Sequence, residues 1–214
     1  MLEPLLDGTE ASASVPRATR RVALGVSYLG TRYKGWQSQR GGGTVQDTLQ
    51  AALASFATQP LQVMCAGRTD AGVHGINQVV HLDTELHREP FSWVRGTNTF
   101  LPPDIAVQWA AEVPSTFHAR NSVQGRRYAY IVLQAPVRPA LEAGKVGWVF
   151  RPLSLSAMQE AAAHLIGEHD FSSFRSSQCQ SPTPVKLLRE IRVTRCPAPA
   201  LPVVPGSPDF DVAP

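Results

Sequence analysis

The chain has 214 residues, 43% of them hydrophobic and 17% charged, enough for one large domain or two small ones. Its formal net charge of +3 is a mild basic excess that permits a polyanionic partner without demanding one. Three cysteines (Cys65, Cys179, Cys196) with no CxxC pair argue against a zinc site or a disulfide scaffold and fit a reducing, cytoplasmic compartment. No run approaches the roughly eighteen apolar residues of a membrane helix.

Residues 1–20 mix Pro, Ser, Ala, Thr and acids, with Arg17, Arg20 and Arg21 at the end. They read as a disordered arm, either solvated or touching a polyanion. Val22–Tyr28 reads as a strand. Leu29 to Gly43 is a loop rich in Gly, Arg, Lys and aromatics. Arg32, Tyr33, Lys34 and Trp36 suit a phosphate and stacking surface; alternatively Tyr33 and Trp36 pack beneath the loop. Thr44 is placed to cap a helix in which Val45, Leu49, Ala52, Leu53 and Phe56 recur at helical spacing, with Pro60 ending it. Leu61–Cys65 is a strand, a glycine-rich stretch follows, and the next strand runs through Leu82.

Pro90–Phe100 predicts a helix stopped by Leu101-Pro102-Pro103. Ile105–Val113 is a strand with Trp109, and Phe117-His118-Ala119-Arg120 a loop. Arg127–Leu133 reads as a strand with Tyr128 and Tyr130 on one face, suited either to core or to stacking on a base. Ser154 or Ser156 caps a helix through Leu165, ended by Gly167. His169–Ser181 is an irregular loop carrying Phe171, Phe174 and Arg175, and Leu187–Arg195 reads as a strand. The tail, Cys196–Pro214, holds six of the eighteen prolines and cannot form a central strand or a helix interior.

The stretch Ala66-Gly67-Arg68-Thr69-Asp70-Ala71-Gly72-Val73-His74-Gly75 stands apart. Glycines at this density mean a tight turn or the close approach of another group. A loop Asp commonly bonds its own backbone. Here Arg68 lies two residues earlier, and on extended backbone it would share a side with Asp70. Such a pair is either a structural bridge or a means of keeping a carboxylate ionised and aimed, as a nucleophile or base requires. His74, His81 and Asp70 are a weak candidate metal set, His169 and Asp170 a weak acid–base pair, and no GxSxG elbow or P-loop is present.

Gly67–Gly75 resembles the signature of the tRNA pseudouridine synthase A family. Companion matches fall in order: Tyr33-Lys34-Gly35-Trp36-Gln37, Val45-Gln46, Gln78-Val79-Val80-His81, Asn98, Leu101-Pro102, Asp104-Ile105-Ala106-Val107, Phe117-His118-Ala119-Arg120 and Arg126-Arg127-Tyr128-Ala129-Tyr130. Gly167-Glu168-His169-Asp170-Phe171, Ser173-Phe174-Arg175 and Gln178-Cys179-Gln180-Ser181 complete the set, so the resemblance runs from about Val22 to Arg195.

The resemblance implies an α+β (mixed α/β) fold, the pseudouridine synthase fold. Two subdomains share a mostly antiparallel mixed sheet with helices packed on it and a cleft between them. Residues 21–114 would form the catalytic half and 115–195 an incomplete second half. Family members continue with a further strand bearing a His-His-Met-Val-Arg-Asn-like segment, which nothing in 196–214 matches. The implied activity is isomerisation of uridine to pseudouridine in the tRNA anticodon stem-loop, without metal or redox cofactor, usually by a homodimer. Asp70 would be the nucleophile, with Arg68 its partner and an aid to base flipping. Tyr128 would stack on the target uracil. The basic and polar residues Arg126, Arg127, His118, Arg120, Arg32, Lys34 and Arg175 would bind substrate. The alternative is a chain that binds RNA, or pairs with a full-length subunit, without turnover.

Overall fold

Strand β1 (Arg20–Tyr28) is the axis on which the fold is built, and its near-continuous burial is that of a strand covered on both faces. The computed structural model describes residues 18–175 and 183–196. The arm up to residue 17, the Gln178–Ser181 motif and the tail beyond Cys196 lie outside the described residues. One compact unit comprises residues up to Ile131 together with Leu141–Gly147; the other comprises Val132–Ala140 and residues from Trp148 onward.

In the first unit β1 pairs antiparallel with β3 (Gly75–Thr84) on one side and β4 (Ile105–Val113) on the other, and β2 (Met64–Cys65) adds to β3, giving the order β2-β3-β1-β4. Helices α1 (Val45–Ala57) and α2 (Pro90–Phe100) supply Leu49, Leu53 and Trp93 to a core shared with Val22, Leu24, Val26 and Tyr28. Alternation along β1 sends Ala23 to the opposite face, in register with His81 of β3, which in turn faces Met64 of β2. Ala119, 3% exposed, covers that second face from the 115–121 loop.

The second unit contains β5 (Val132–Gln134) and most of β6 (Gly147–Val149), then α3 (Leu155–Ala163), β7 (Gly167–Asp170) and β8 (Val185–Leu188). Here β5 pairs with β6, and β7 pairs antiparallel with β8. The α+β class is as expected. Where one sheet shared by both halves was expected, the strands among the described residues form a four-stranded sheet and two two-stranded ones. The strand expected over Arg127–Leu133 is only Val132–Gln134, and the strand expected over Leu187–Arg195 is Val185–Leu188. Residues 115–131, expected with the second half, belong to the first unit.

The start of α1 ties helix to loop. Thr44 caps it, its Oγ1 accepting the Asp47 amide at 3.2 Å and donating to Asp47 Oδ2 at 2.6 Å. The free N–H groups of Val45 and Gln46 go to the carbonyls of Gly35 and Trp36, so the helix N-terminus holds the 29–43 loop. Thr44→Ala should therefore lower stability by about 0.5–2 kcal/mol. Urea unfolding followed by tryptophan fluorescence checks this, and an unchanged midpoint would show the cap to be dispensable.

Candidate active site

The signature loop leaves the sheet at Cys65, and its first turn is fastened from three directions. Ala66 donates its N–H to Val79 O at 2.8 Å. The Gln78 amide grips Gly67 both ways: its Nε2 donates to Gly67 O, and the Gly67 N–H reaches Gln78 Oε1. The Arg126 guanidinium lies over Gly67 and donates to Ala66 O at 2.8 Å. A Cβ on Gly67 would come within 2.7 Å of Arg126 Nε, so glycine makes the seat for this arginine. Arg126, expected to bind substrate, here straps down the loop.

The next turn is held by the 28–36 segment. Thr69 O accepts the Trp36 N–H at 2.9 Å, and Thr69 Oγ1 shares a 2.8 Å hydrogen bond with the hydroxyl of Tyr28, the last residue of β1. Gly72 donates to Tyr33 O, and Val73 to Asp70 O. His74 closes the turn: Nδ1 accepts the Gly30 N–H at 2.9 Å, while Nε2 lies 2.8 Å from Gly144 O. Both bonds together require a neutral ring protonated at Nε2, which leaves neither nitrogen for a metal. Gly30 is obligatory for close approach, since a Cβ there would stand 2.0 Å from Val73 O.

Asp70 is thus clamped through its backbone on both sides. Its exposed carboxylate has no hydrogen bond or ion pair among the described residues. No ion pair joins it to Arg68 within these residues, because the chain abandons strand geometry after Cys65 and the same-side rule for i and i+2 lapses. Arg68 instead lines a cavity of about 160 Å3 with Trp36, Gln37, Met64, Cys65 and Arg120. Burial pushes the Cys65 thiol up, against the opposing pull of the Arg68 and Arg120 charges, so it stays protonated and unreactive at neutral pH.

The remaining candidates divide. Arg32 is committed to Asp104 at 2.6 Å, and Tyr33 Oη donates to the same carboxylate at 2.8 Å. Burial, then the Asp104 carboxylate, push the Tyr33 phenol up to about 12. His118 Nδ1 accepts the N–H groups of Arg120 and Asn121. Lys34, Arg127 and Tyr128 are exposed, Tyr128 at 78%. Arg175, also exposed, belongs to the second unit. Trp36, weighed as a stacking ring, is wholly buried and 5.6 Å from the Tyr28 ring.

A model of the tRNA pseudouridine synthase family matches residues 25–121 and 161–212, the second stretch running past Arg195 into the proline-rich tail. The chain belongs to the tRNA pseudouridine synthase A family. It is 68% identical over 178 residues to the tRNA pseudouridine synthase A of Methylibium petroleiphilum strain PM1, covering 83% of this chain and 68% of that one. The enzyme of the same name from Paracidovorax citrulli is 68% identical over 175 residues, covering 82% and 63%, and that of Polaromonas sp. strain JS666 is 65% identical, covering 81% and 66%. The chain therefore spans about two thirds of the length of these relatives.

The positioning roles of Tyr28, Gln78 and Trp36 were not foreseen from sequence. A strand-terminal Tyr and a Gln one turn beyond the loop give no local signal; only the sheet register brings them to Thr69 and Gly67. If the loop depends on this seating, Gly30→Ala should raise the hydrogen-exchange rate of the Trp36 amide by at least about tenfold and destabilise the unit by roughly 1–3 kcal/mol. Unchanged protection at Trp36 would show that the loop is held without it.

Proposed function

We propose that the chain isomerises uridine to pseudouridine in the anticodon stem-loop of tRNA, with Asp70 as the nucleophile. The observation that carries this is an exposed carboxylate, without a hydrogen bond or ion pair among the described residues, on a backbone clamped at every turn, in a chain of this family. The reaction breaks the N1–C1′ glycosidic bond, turns the uracil and forms the C5–C1′ bond; the C5 hydrogen leaves as a proton, and N1 ends protonated. No electrons are gained or lost. A carboxylate that adds to the sugar or to the uracil ring and is later released suffices for this balance.

The target base must first leave its stack, at a cost of a few kcal/mol that backbone contacts offset. Arg68 and Arg120, beside one cavity, are suited to phosphate, and Arg68 to filling the vacated stack. The exposed ring of Tyr128 is suited to stacking on the uracil. Lys34 and Arg127, exposed in the same unit, extend the same basic character, and the family resemblance supports Arg175 as a further substrate contact. The protonated state of the Cys65 thiol supports Asp70 over Cys65 as the nucleophile. Homodimeric assembly, with one tRNA touching both subunits, and a cytoplasmic setting are supported by the family resemblance; no helix among the described residues is long and apolar enough to cross a membrane.

Tritium release from tRNA labelled at uridine C5 tests the reading. The parent chain should release tritium, and Asp70→Ala should lose release by at least about a thousandfold while still binding tRNA. Binding without release by the parent would replace this reading with that of an RNA-binding chain; release by Asp70→Ala would remove Asp70 from the chemistry.

A further inference from the structure

His81 sits outside the signature loop on the sheet face away from the helices, 5% exposed, yet it is a polar side chain in the middle of a strand. Its Nδ1 accepts the N–H of Ala119 at 3.2 Å, and its ring packs edge-on against His118 at 4.9 Å and Phe117 at 6.2 Å. Arg21, two register pairs along and so on the same face, works on the same loop. It donates at 2.7 Å to the carbonyls of Ser115 and Phe117 and is itself fixed by two 2.7 Å bonds to Asp83. His118 then turns the chain by accepting the next two N–H groups. The loop so fastened ends at Arg120, whose exposed guanidinium lines the cavity with Arg68 and has no hydrogen bond or ion pair among the described residues.

We propose that His81 is a positioning residue: its imidazole Nδ1 holds the Phe117–Arg120 turn so that Arg120 stands beside Arg68 to grip a tRNA phosphate. This rests on the tRNA-modifying reading above. Only the unprotonated Nδ1 can accept the Ala119 N–H. The charged and titratable groups facing it are Arg21 from β1, Asp83 from β3 and His118 from the loop; its β1 and β2 neighbours, Ala23 and Met64, are apolar. Burial first, then the charges of Arg21 and His118, hold the imidazole below the usual histidine range, against the pull of Asp83. The unfolded chain thus takes the proton before the folded one, so the stability this bond gives is lost as the pH falls from about 6.5 through the lower folded value, where the turn itself weakens.

The experiment measures tRNA affinity by filter binding at several salt concentrations, alongside tritium release. His81→Leu should weaken binding about five- to tenfold and make the slope of log Kd against log salt shallower by about one, as the loss of a phosphate contact does, while release at saturating tRNA stays near the parent's. His81→Asn, whose Oδ1 can accept the Ala119 N–H, should restore both values and remove the loss of affinity that the parent shows on acidification below the usual histidine range. Combining His81→Leu with Arg120→Gln should be no worse than Arg120→Gln alone. With the parent active, an unchanged Kd and salt slope in His81→Leu, or additive effects in the double variant, would overturn the role of His81 alone. A parent that neither binds tRNA nor releases tritium would overturn the underlying reading and this inference with it.

Discussion

The 2.8 Å hydrogen bond between Tyr28 and Thr69 fixes the site to the sheet. Tyr28 ends the central strand, is 4% exposed and packs at a tilt against the buried Trp36, so its hydroxyl has one place to be. A buried phenol needs a partner, and burial raises its pKa against the opposing pull of the Thr69 and Gln78 side chains, so it stays un-ionised. Thr69 is thereby located relative to β1, and Asp70 is the next residue. The carboxylate, which has no partner among the described residues, is still aimed, because its orientation is set through the backbone. A carboxylate tied into an ion pair would be equally fixed but less available as a nucleophile.

The two faces of the four-stranded sheet have different tasks. The helical face supplies the core and, through the cap of α1, holds the 29–43 loop that in turn holds the signature turn. The other face carries Arg21 and His81 and fastens the loop that ends at Arg120. Acid and base are thus delivered from opposite sides of one sheet: Asp70 by the loop after β2, Arg120 by the loop after β4. Arg126 adds a direct strap between the segment bearing Tyr128 and the entry to the signature loop.

Much of this was legible in the sequence. β4 and α2 match their expected ranges, Thr44 is the cap it was read to be, and of the signature's glycines Gly67 and Gly75 admit close neighbours while Gly72 takes a positive φ. Three readings failed for physical reasons. Extended alternation does not carry past Cys65, so Arg68 and Asp70 do not form an ion pair among the described residues. Tyr128 and Tyr130 sit on an irregular, exposed segment rather than on a strand, since β-propensity specifies pairing only when a partner edge is present. Arg21, read as part of a loose arm, is spent on Asp83 and two carbonyls, a fate decided by the β1–β3 register. Side-chain-to-backbone bonds between residues far apart in sequence are what the sequence conceals, and they are what holds the site.

The single-turnover rate of Tyr28→Phe, measured beside its tRNA affinity, tests most directly whether the sheet aims Asp70 through Thr69. Removing one hydroxyl should slow conversion by about tenfold, equivalent to about 1.4 kcal/mol, and leave the Kd for tRNA unchanged. A rate equal to the parent's in a folded Tyr28→Phe variant would contradict the claim that this bond positions Asp70.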